Sequence, residues 1–182
     1  MYTYPHTIEN GTGEHLTFVR RVQDADGEYV EVENYLLPNA GPPMHVHYKQ
    51  SEGLTIVQGR MGVQVPGKEP EFYTEGQSVS FQAGEPHRFW NAGTEPLVCR
   101  GWVRPVHNIE YFLTEIYRTT RENGGHRPGA FEGAYLSWRY RSEFGMTEIP
   151  SLVRSVVFPA TVAIGTLLGK YRKYRDAPEP IR

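Results

Sequence analysis

The sequence predicts a mainly β fold, a sandwich or small barrel, followed by a C-terminal α-helical extension. Up to about residue 106, apolar and β-branched runs recur between turn signals such as Asp26-Gly27 and Pro66-Gly67. Runs this closely spaced leave almost no room for helices between them, so we expect the strands to pair antiparallel. After Val106 the spacing of the apolar residues changes to that of a helix.

Composition narrows the class of protein. The chain has 182 residues, a formal net charge of −2 and one cysteine, Cys99. This charge argues against a dedicated nucleic-acid-binding protein, which is normally basic. A single cysteine excludes an intramolecular disulfide framework and a multi-cysteine metal site. The N-terminal segment has neither the basic nor the apolar region of a secretory signal, so we expect a cytoplasmic protein.

We divide the chain into a barrel domain, residues 1–106, and a helical extension, residues 107–182. The extension is expected to pack on the barrel or in a dimer interface. Within the barrel, each predicted strand is an apolar or β-branched run bounded by turn residues, and these runs cover 16–22, 28–37, 44–48, 54–58, 60–65, 71–74, 77–82, 87–91 and 97–103.

The first two helices of the extension follow from apolar spacing and end signals. Ile109 and Tyr117 mark the two ends of one apolar face, with Asn108 as a candidate N-cap and Asn123-Gly124-Gly125 as the end. This face predicts either a lid over the barrel or a dimer contact. A shorter helix is predicted after Pro128.

A third helix is predicted over 151–168, with a kink at Pro159. Residues 155–169 carry no charge and are followed by a basic stretch. At about 1.5 Å per residue that apolar stretch reaches roughly 22 Å, short of the ~30 Å core of a bilayer, so no transmembrane span is predicted. Two interpretations remain: a helix buried on the barrel or in a homodimer interface, and a peripheral membrane contact through 151–175.

Four residues form a candidate metal site. His45 and His47 are two apart on one predicted strand, so their side chains leave the same face. Glu52 follows where the chain returns toward that face, and His87 begins a later strand. Three imidazoles and a carboxylate suit one divalent transition metal such as Fe, Mn, Ni or Zn.

The full spacing of this set resembles that of the cupins. It reads His45-x-His47-x4-Glu52-x6-Gly59 and then Gly84-x2-His87-x3-Asn91. Two turn positions depart from the family pattern: Asn39 stands at the leading glycine of the first motif, and Gln82 at the proline of the second.

The resemblance implies a cupin-type jelly-roll β-barrel that holds one metal ion in its interior. The implied ligands are His45, His47, Glu52 and His87, and Glu52 is also a candidate general base if it detaches from the metal. The family includes single-domain members that pair through their barrels, so we expect a homodimer.

Strand alternation predicts an apolar pocket beside the metal site. Leu54 and Ile56 share the face of Glu52, and Phe89 shares the face of His87. Such a lining suits an aromatic or hydrophobic small molecule. We expect a metal-dependent dioxygenase, with a quercetinase-like aromatic substrate as the concrete candidate. A non-catalytic binding or sensing domain and an isomerase or epimerase remain as alternatives, because this fold hosts all of them.

Overall fold

The barrel is built from strands that precede the first helix. A computed structural model describes residues 2–182. Within them, the strands before the first helix are β1 (His6–Glu9), β2 (Glu14–Asp24), β3 (Gly27–Leu36), β4 (His45–His47), β5 (Ser51–Gln58), β6 (Arg60–Gln64), β7 (Glu71–Thr74), β8 (Ser78–Phe81), β9 (Arg88–Asn91) and β10 (Leu97–Arg104).

The C-terminal extension combines helices with one short strand. Its elements are α1 (Ile109–Glu122), α2 (Ala130–Arg139), β11 (Phe144–Met146), a π-helical turn (Val153–Val157), α3 (Phe158–Leu167) and a 3₁₀ turn (Arg172–Tyr174). None of the helices in residues 2–182 has the length and apolar character needed to cross a membrane.

All strand pairs are antiparallel, and they form a six-stranded sheet in the order β1-β2-β3-β10-β5-β8 and a three-stranded sheet in the order β7-β6-β9. Inward-facing residues of both sheets, such as Leu36, Ile56, Met61 and Phe89, meet in one buried apolar cluster. The predicted mainly β barrel with C-terminal helices is therefore confirmed.

Two strands had no counterpart in the sequence prediction. β1 pairs with β2, placing His6 opposite Phe18, and β11 pairs with β4, placing Phe144 opposite His47. Segments of three or four residues are too short to show a period of two, so long-range pairing alone identifies them as strands.

A second apolar core joins the helical extension to the barrel. Phe18 and Val30 of the barrel share this cluster with Ile109, Leu136 and Tyr140, and all five are fully buried. The apolar face of α1 therefore packs on its own barrel.

A buried carboxylate ties three distant segments of the extension together. Glu143 is fully buried and accepts hydrogen bonds from Asn108 Nδ2 at 2.8 Å and from the backbone N–H of Ile181 at 3.0 Å. Asn108 does precede α1, but its side chain makes this contact instead of capping the helix. The chain end is thus fixed against the start of α1.

The third helical segment differs from its prediction in exposure. A π-helical turn lies directly before Pro159, where the missing N–H of proline disturbs regular helical hydrogen bonding. Of the two arrangements predicted for 151–168, burial on the barrel does not fit the exposure of Leu152, 66%, and Leu167, 88%. The segment packs on α2, and Gly165 leaves room for the Tyr171 ring.

Candidate metal centre

Backbone pairing brings the two histidine segments together. β4, which carries His45 and His47, is joined to the turn before β9 by two hydrogen bonds of 2.9 Å between the backbones of His45 and His87. The N–H of Gly84 also donates to the carbonyl of His47 at 2.7 Å. Since β11 pairs along the other edge of β4, the helical extension helps to position this strand.

The four side chains predicted as ligands converge inside the barrel. Ligand atoms of His45, His47 and Glu52 all lie within 4.8 Å of one another. Nε2 of His87 is 2.8 Å from Oε1 of Glu52. The ring centroid of His87 lies 4.4 Å from that of His45 and 5.9 Å from that of His47.

Carbonyl groups determine which nitrogen of two rings carries the proton. Nδ1 of His45 is 2.8 Å from the carbonyl of Pro43, and Nδ1 of His87 is 2.9 Å from the carbonyl of Glu85. A carbonyl only accepts, so each Nδ1 donates its proton, and in the neutral form of each ring Nε2 keeps its lone pair. Histidines that bind a metal through one ring nitrogen typically donate a hydrogen bond from the other nitrogen, as Nδ1 does here.

Two contacts of the cluster bear on whether it can hold a metal. Without a metal, the 2.8 Å contact between His87 Nε2 and Glu52 Oε1 requires a proton on Nε2 as well as on Nδ1, and a metal cation could take the place of that proton. Nδ1 of His47 is buried and makes no hydrogen bond within residues 2–182. This donor set fits a divalent transition metal.

Burial and charge set the protonation of the cluster. Burial lowers the pKa of His45 to about 3 and also lowers the pKa of His47. Burial alone would raise the pKa of Glu52, but the hydrogen bond from His87 and the charges of the histidines outweigh it and leave that pKa at about 2. Burial opposes protonation of His87, yet the contact with Glu52 raises its pKa. A metal binds the ionised carboxylate and the neutral imidazoles, so its binding would displace the proton that His87 shares with Glu52.

Aromatic side chains hold two of the rings in place. Phe81 stacks on His87 with ring centroids 3.8 Å apart, and the edge of Phe144 meets His47 at 5.6 Å. The ring orientations are therefore fixed by packing as well as by hydrogen bonds.

The cluster opens onto a large cavity of about 1560 Å³ between the barrel and the helical extension. Its lining includes His45, His47 and Glu52 from the barrel, and Phe112 and Trp138 from the helices. The volume exceeds the roughly 300–1,000 Å³ typical of small-molecule pockets. The helical extension therefore forms a wall of the candidate site.

The predicted pocket residues divide between this cavity and the closed core. Leu54 and Phe89 line the cavity. Ile56 does not line the cavity. It lies beyond the part of β5 that borders the cavity, is 1% exposed and packs in the apolar cluster between the two sheets. His87 is also closed off, with its ring between Phe81 and the Glu52 carboxylate.

Sequence reasoning missed two polar residues of the cavity wall, Glu14 and Tyr117. Glu14 lies on the same side of β2 as the buried Leu16 and Phe18. A charged residue on an otherwise apolar strand face was the signal available for it. Tyr117 was assigned to the apolar face of α1, and nothing in the sequence places its hydroxyl beside Glu14.

A family model described as the cupin domain matches residues 34–103, a segment that contains His45, His47, Glu52 and His87. This barrel is a cupin domain. The match to the family and the antiparallel barrel agree with the resemblance that the two motifs carry.

Two curated proteins are similar to part of this chain. A probable oxidoreductase, virH, from Hypocrea virens is 30% identical over 93 residues, which are 46% of this chain and 42% of the relative. The oxidoreductase iacF from Pestalotiopsis fici is 27% identical over 111 residues, 56% of this chain and 54% of the relative. The matched regions thus span about half the length of these relatives.

Among solved structures, the cupin is similar to an uncharacterized conserved protein with a double-stranded β-helix domain from Klebsiella pneumoniae. The two share 19% sequence identity over 58% of this chain and 82% of that chain, with a TM-score of 0.44.

Proposed function

We propose that this cupin domain binds one divalent transition metal through His45, His47, Glu52 and His87, and that it is a metal-dependent small-molecule dioxygenase. The observation that carries the proposal is the convergence of this donor set, in which Nδ1 of His45 and of His87 is committed to a backbone carbonyl, beside a large cavity that His45, His47 and Glu52 line. Fe, Mn, Ni and Zn all fit a mixed imidazole and carboxylate set.

The names of the relatives favour redox chemistry, since both are described as oxidoreductases. A bound transition metal would supply Lewis acidity and, if redox-active, the activation of dioxygen. In a dioxygenase both atoms of O₂ enter the substrate, which itself supplies the electrons, so no separate reductant is needed. The lining, with Leu54, Phe89, Phe112 and Leu113, would hold an aromatic or hydrophobic substrate and exclude water.

The main role proposed for Glu52 is that of a metal ligand. With a pKa of about 2 it is a weak base while it keeps its contact with His87. Its proposed role as a general base therefore requires that this contact be lost when substrate binds.

Oxygen consumption tests the enzymatic proposal. We expect O₂ uptake when the protein, loaded with Fe(II) or Mn(II), is given a panel of aromatic diols and flavonols. His47→Ala should abolish the uptake because it removes a ligand, whereas His15→Ala, outside the cluster, should leave it unchanged. An electrode records uptake, and product masses must show the gain of two oxygen atoms.

If the fully metal-loaded protein takes up no O₂ with any compound of the panel, the result would contradict the proposed dioxygenase activity. It would favour a non-catalytic binding or sensing cupin. Conversion of a substrate without O₂ uptake would instead indicate an isomerase or epimerase.

We also propose that the chain forms a homodimer through the exposed apolar surface of 151–168. Ile164, Leu167 and Leu168 are all more than half exposed. Exposed apolar patches mark interaction sites, and a two-fold pairing would cover the same uncharged stripe on both copies.

Light scattering after size-exclusion chromatography tests the dimer. We expect a dimer mass for the natural chain and a monomer mass for Leu167→Glu, because pairing would bury two unpaired carboxylates. Val57→Glu, at an exposed apolar residue of the barrel, should stay dimeric. A monomeric natural chain that floats with phosphatidylserine vesicles would contradict the dimer and show a peripheral membrane contact.

A further inference from the structure

A second polar group lies in the same cavity as the candidate metal ligands. Glu14, at the start of β2, is 3% exposed and lines the cavity. No ion pair reaches its carboxylate from any Lys, Arg or His of residues 2–182. A buried carboxyl group without a cation is costly, so its retention needs an explanation.

The surroundings of Glu14 orient it without neutralising it. Asn10 Nδ2 donates to Oε2 of Glu14 at 3.2 Å, while Asn10 Oδ1 accepts from the backbone N–H of Thr12 at 2.9 Å. The hydroxyl of Tyr117, from α1, lies close to the carboxyl group, and both residues line the cavity. Burial raises the pKa of Glu14 to about 7, and the Tyr117 contact lowers it only in part.

The wall around this pair is apolar. Leu16 and Phe18 on β2, Val32 on β3 and Leu113 on α1 line the same cavity. A ligand that fills it buries an apolar body, and the metal-ligand cluster and the Glu14–Tyr117 pair are two polar regions that its polar groups can meet. Both regions line the same cavity, so one ligand can contact both.

We propose that Glu14 and Tyr117 bind a hydroxyl group of the substrate, which makes the substrate an uncharged, hydroxylated aromatic or alicyclic molecule. This inference rests on the proposed small-molecule site. A hydroxyl satisfies both residues, because it donates to the Glu14 carboxylate and accepts from the Tyr117 hydroxyl. An ammonium group has no acceptor for Tyr117, and a carboxylate is repelled by Glu14.

Four probes with one apolar body test this selectivity: 2-naphthol, naphthalene, 2-naphthoate and 2-naphthylmethylamine. Binding to the full chain is measured by fluorescence titration, with oxygen excluded so that no turnover occurs. We expect 2-naphthol to bind the natural chain about 10-fold more tightly than naphthalene, the effect of one well-placed hydrogen bond, and more tightly than either charged probe.

Variants of Glu14 and Tyr117 test whether these two residues cause the preference for a probe with a hydroxyl group. Glu14→Leu should weaken 2-naphthol binding by about 10-fold and leave naphthalene binding unchanged, since only the hydroxyl loses its partner. Tyr117→Phe should act in the same direction, and the exposed Glu75→Leu should have no effect. Unchanged naphthalene affinity shows that the variant cavity is still folded.

The proposal is overturned if 2-naphthol binds the natural chain no better than naphthalene, if a charged probe binds best, or if Glu14→Leu weakens both neutral probes equally. Metal content measured on the same samples separates this outcome from failure of the proposed function. A metal-free natural chain contradicts the metal site, whereas a metal-loaded chain without hydroxyl selectivity contradicts the role of Glu14 alone.

Discussion

Deletion of residues 107–182 should leave a barrel that is insoluble or lacks cooperative unfolding. The deletion removes Ile109, Tyr117, Leu136, Tyr140 and Phe144 from the core they share with the barrel. At about 1.5–3 kcal/mol for each buried large side chain, the loss is roughly 7–15 kcal/mol. That equals the whole stability of a typical domain, about 5–15 kcal/mol.

The same deletion also damages the metal centre. It removes β11, the pairing partner of β4, and with it the ring of Phe144 that packs against His47. Solubility, circular dichroism and thermal unfolding of the truncated chain measure the outcome. A soluble, metal-loaded truncation that unfolds cooperatively would show that the extension is dispensable to the fold.

A matched pair of point variants controls for nonspecific aggregation of a shortened chain. Leu136→Ala, at a fully buried leucine of the shared core, should lower the free energy of unfolding by about 2–5 kcal/mol. Leu37→Ala, at a leucine that is 44% exposed on the barrel, should lower it by less than about 1 kcal/mol. Equal losses in the free energy of unfolding would mean that the shared core contributes no more to stability than an exposed leucine does.

Local patterns in the sequence were sufficient to predict strands β2 to β10 and the shared face of His45 and His47. The alternation in β2, β3 and β10 is long enough to define which side faces inward. His45 and His47 converge because a strand directs alternate residues to one side. Glu52 and His87 join them at distances along the chain that resemble a known family, which spacing alone does not dictate.

Features that depend on contacts between distant segments were beyond the reach of the sequence. Strand β11 exists because Phe144–Met146 meets β4, and its three residues show no period of their own. Residues 151–168 pack on α2 and leave large apolar residues such as Leu152 and Leu167 exposed, which the apolar pattern alone does not predict. An apolar face in a sequence predicts that something covers it, but the covering surface need not be part of the same chain.

Removal of two of the proposed metal ligands should also have a large effect. His45→Ala/His87→Ala should abolish metal binding, because it removes two imidazoles whose Nδ1 protons are held by Pro43 and Glu85. Two ligands would remain, and Glu52 would lose its 2.8 Å contact with His87. His15→Ala/His126→Ala removes the same number of imidazoles outside the cluster and should retain the metal.

Metal content of the untagged protein tests the central claim most directly. Plasma mass spectrometry of the natural chain and of both double variants should find about one equivalent of Fe, Mn, Ni or Zn in the natural chain and in His15→Ala/His126→Ala. His45→Ala/His87→Ala should contain none while keeping its circular dichroism spectrum. A natural chain that holds no metal, even after reconstitution with each of these ions, would contradict the four-ligand site.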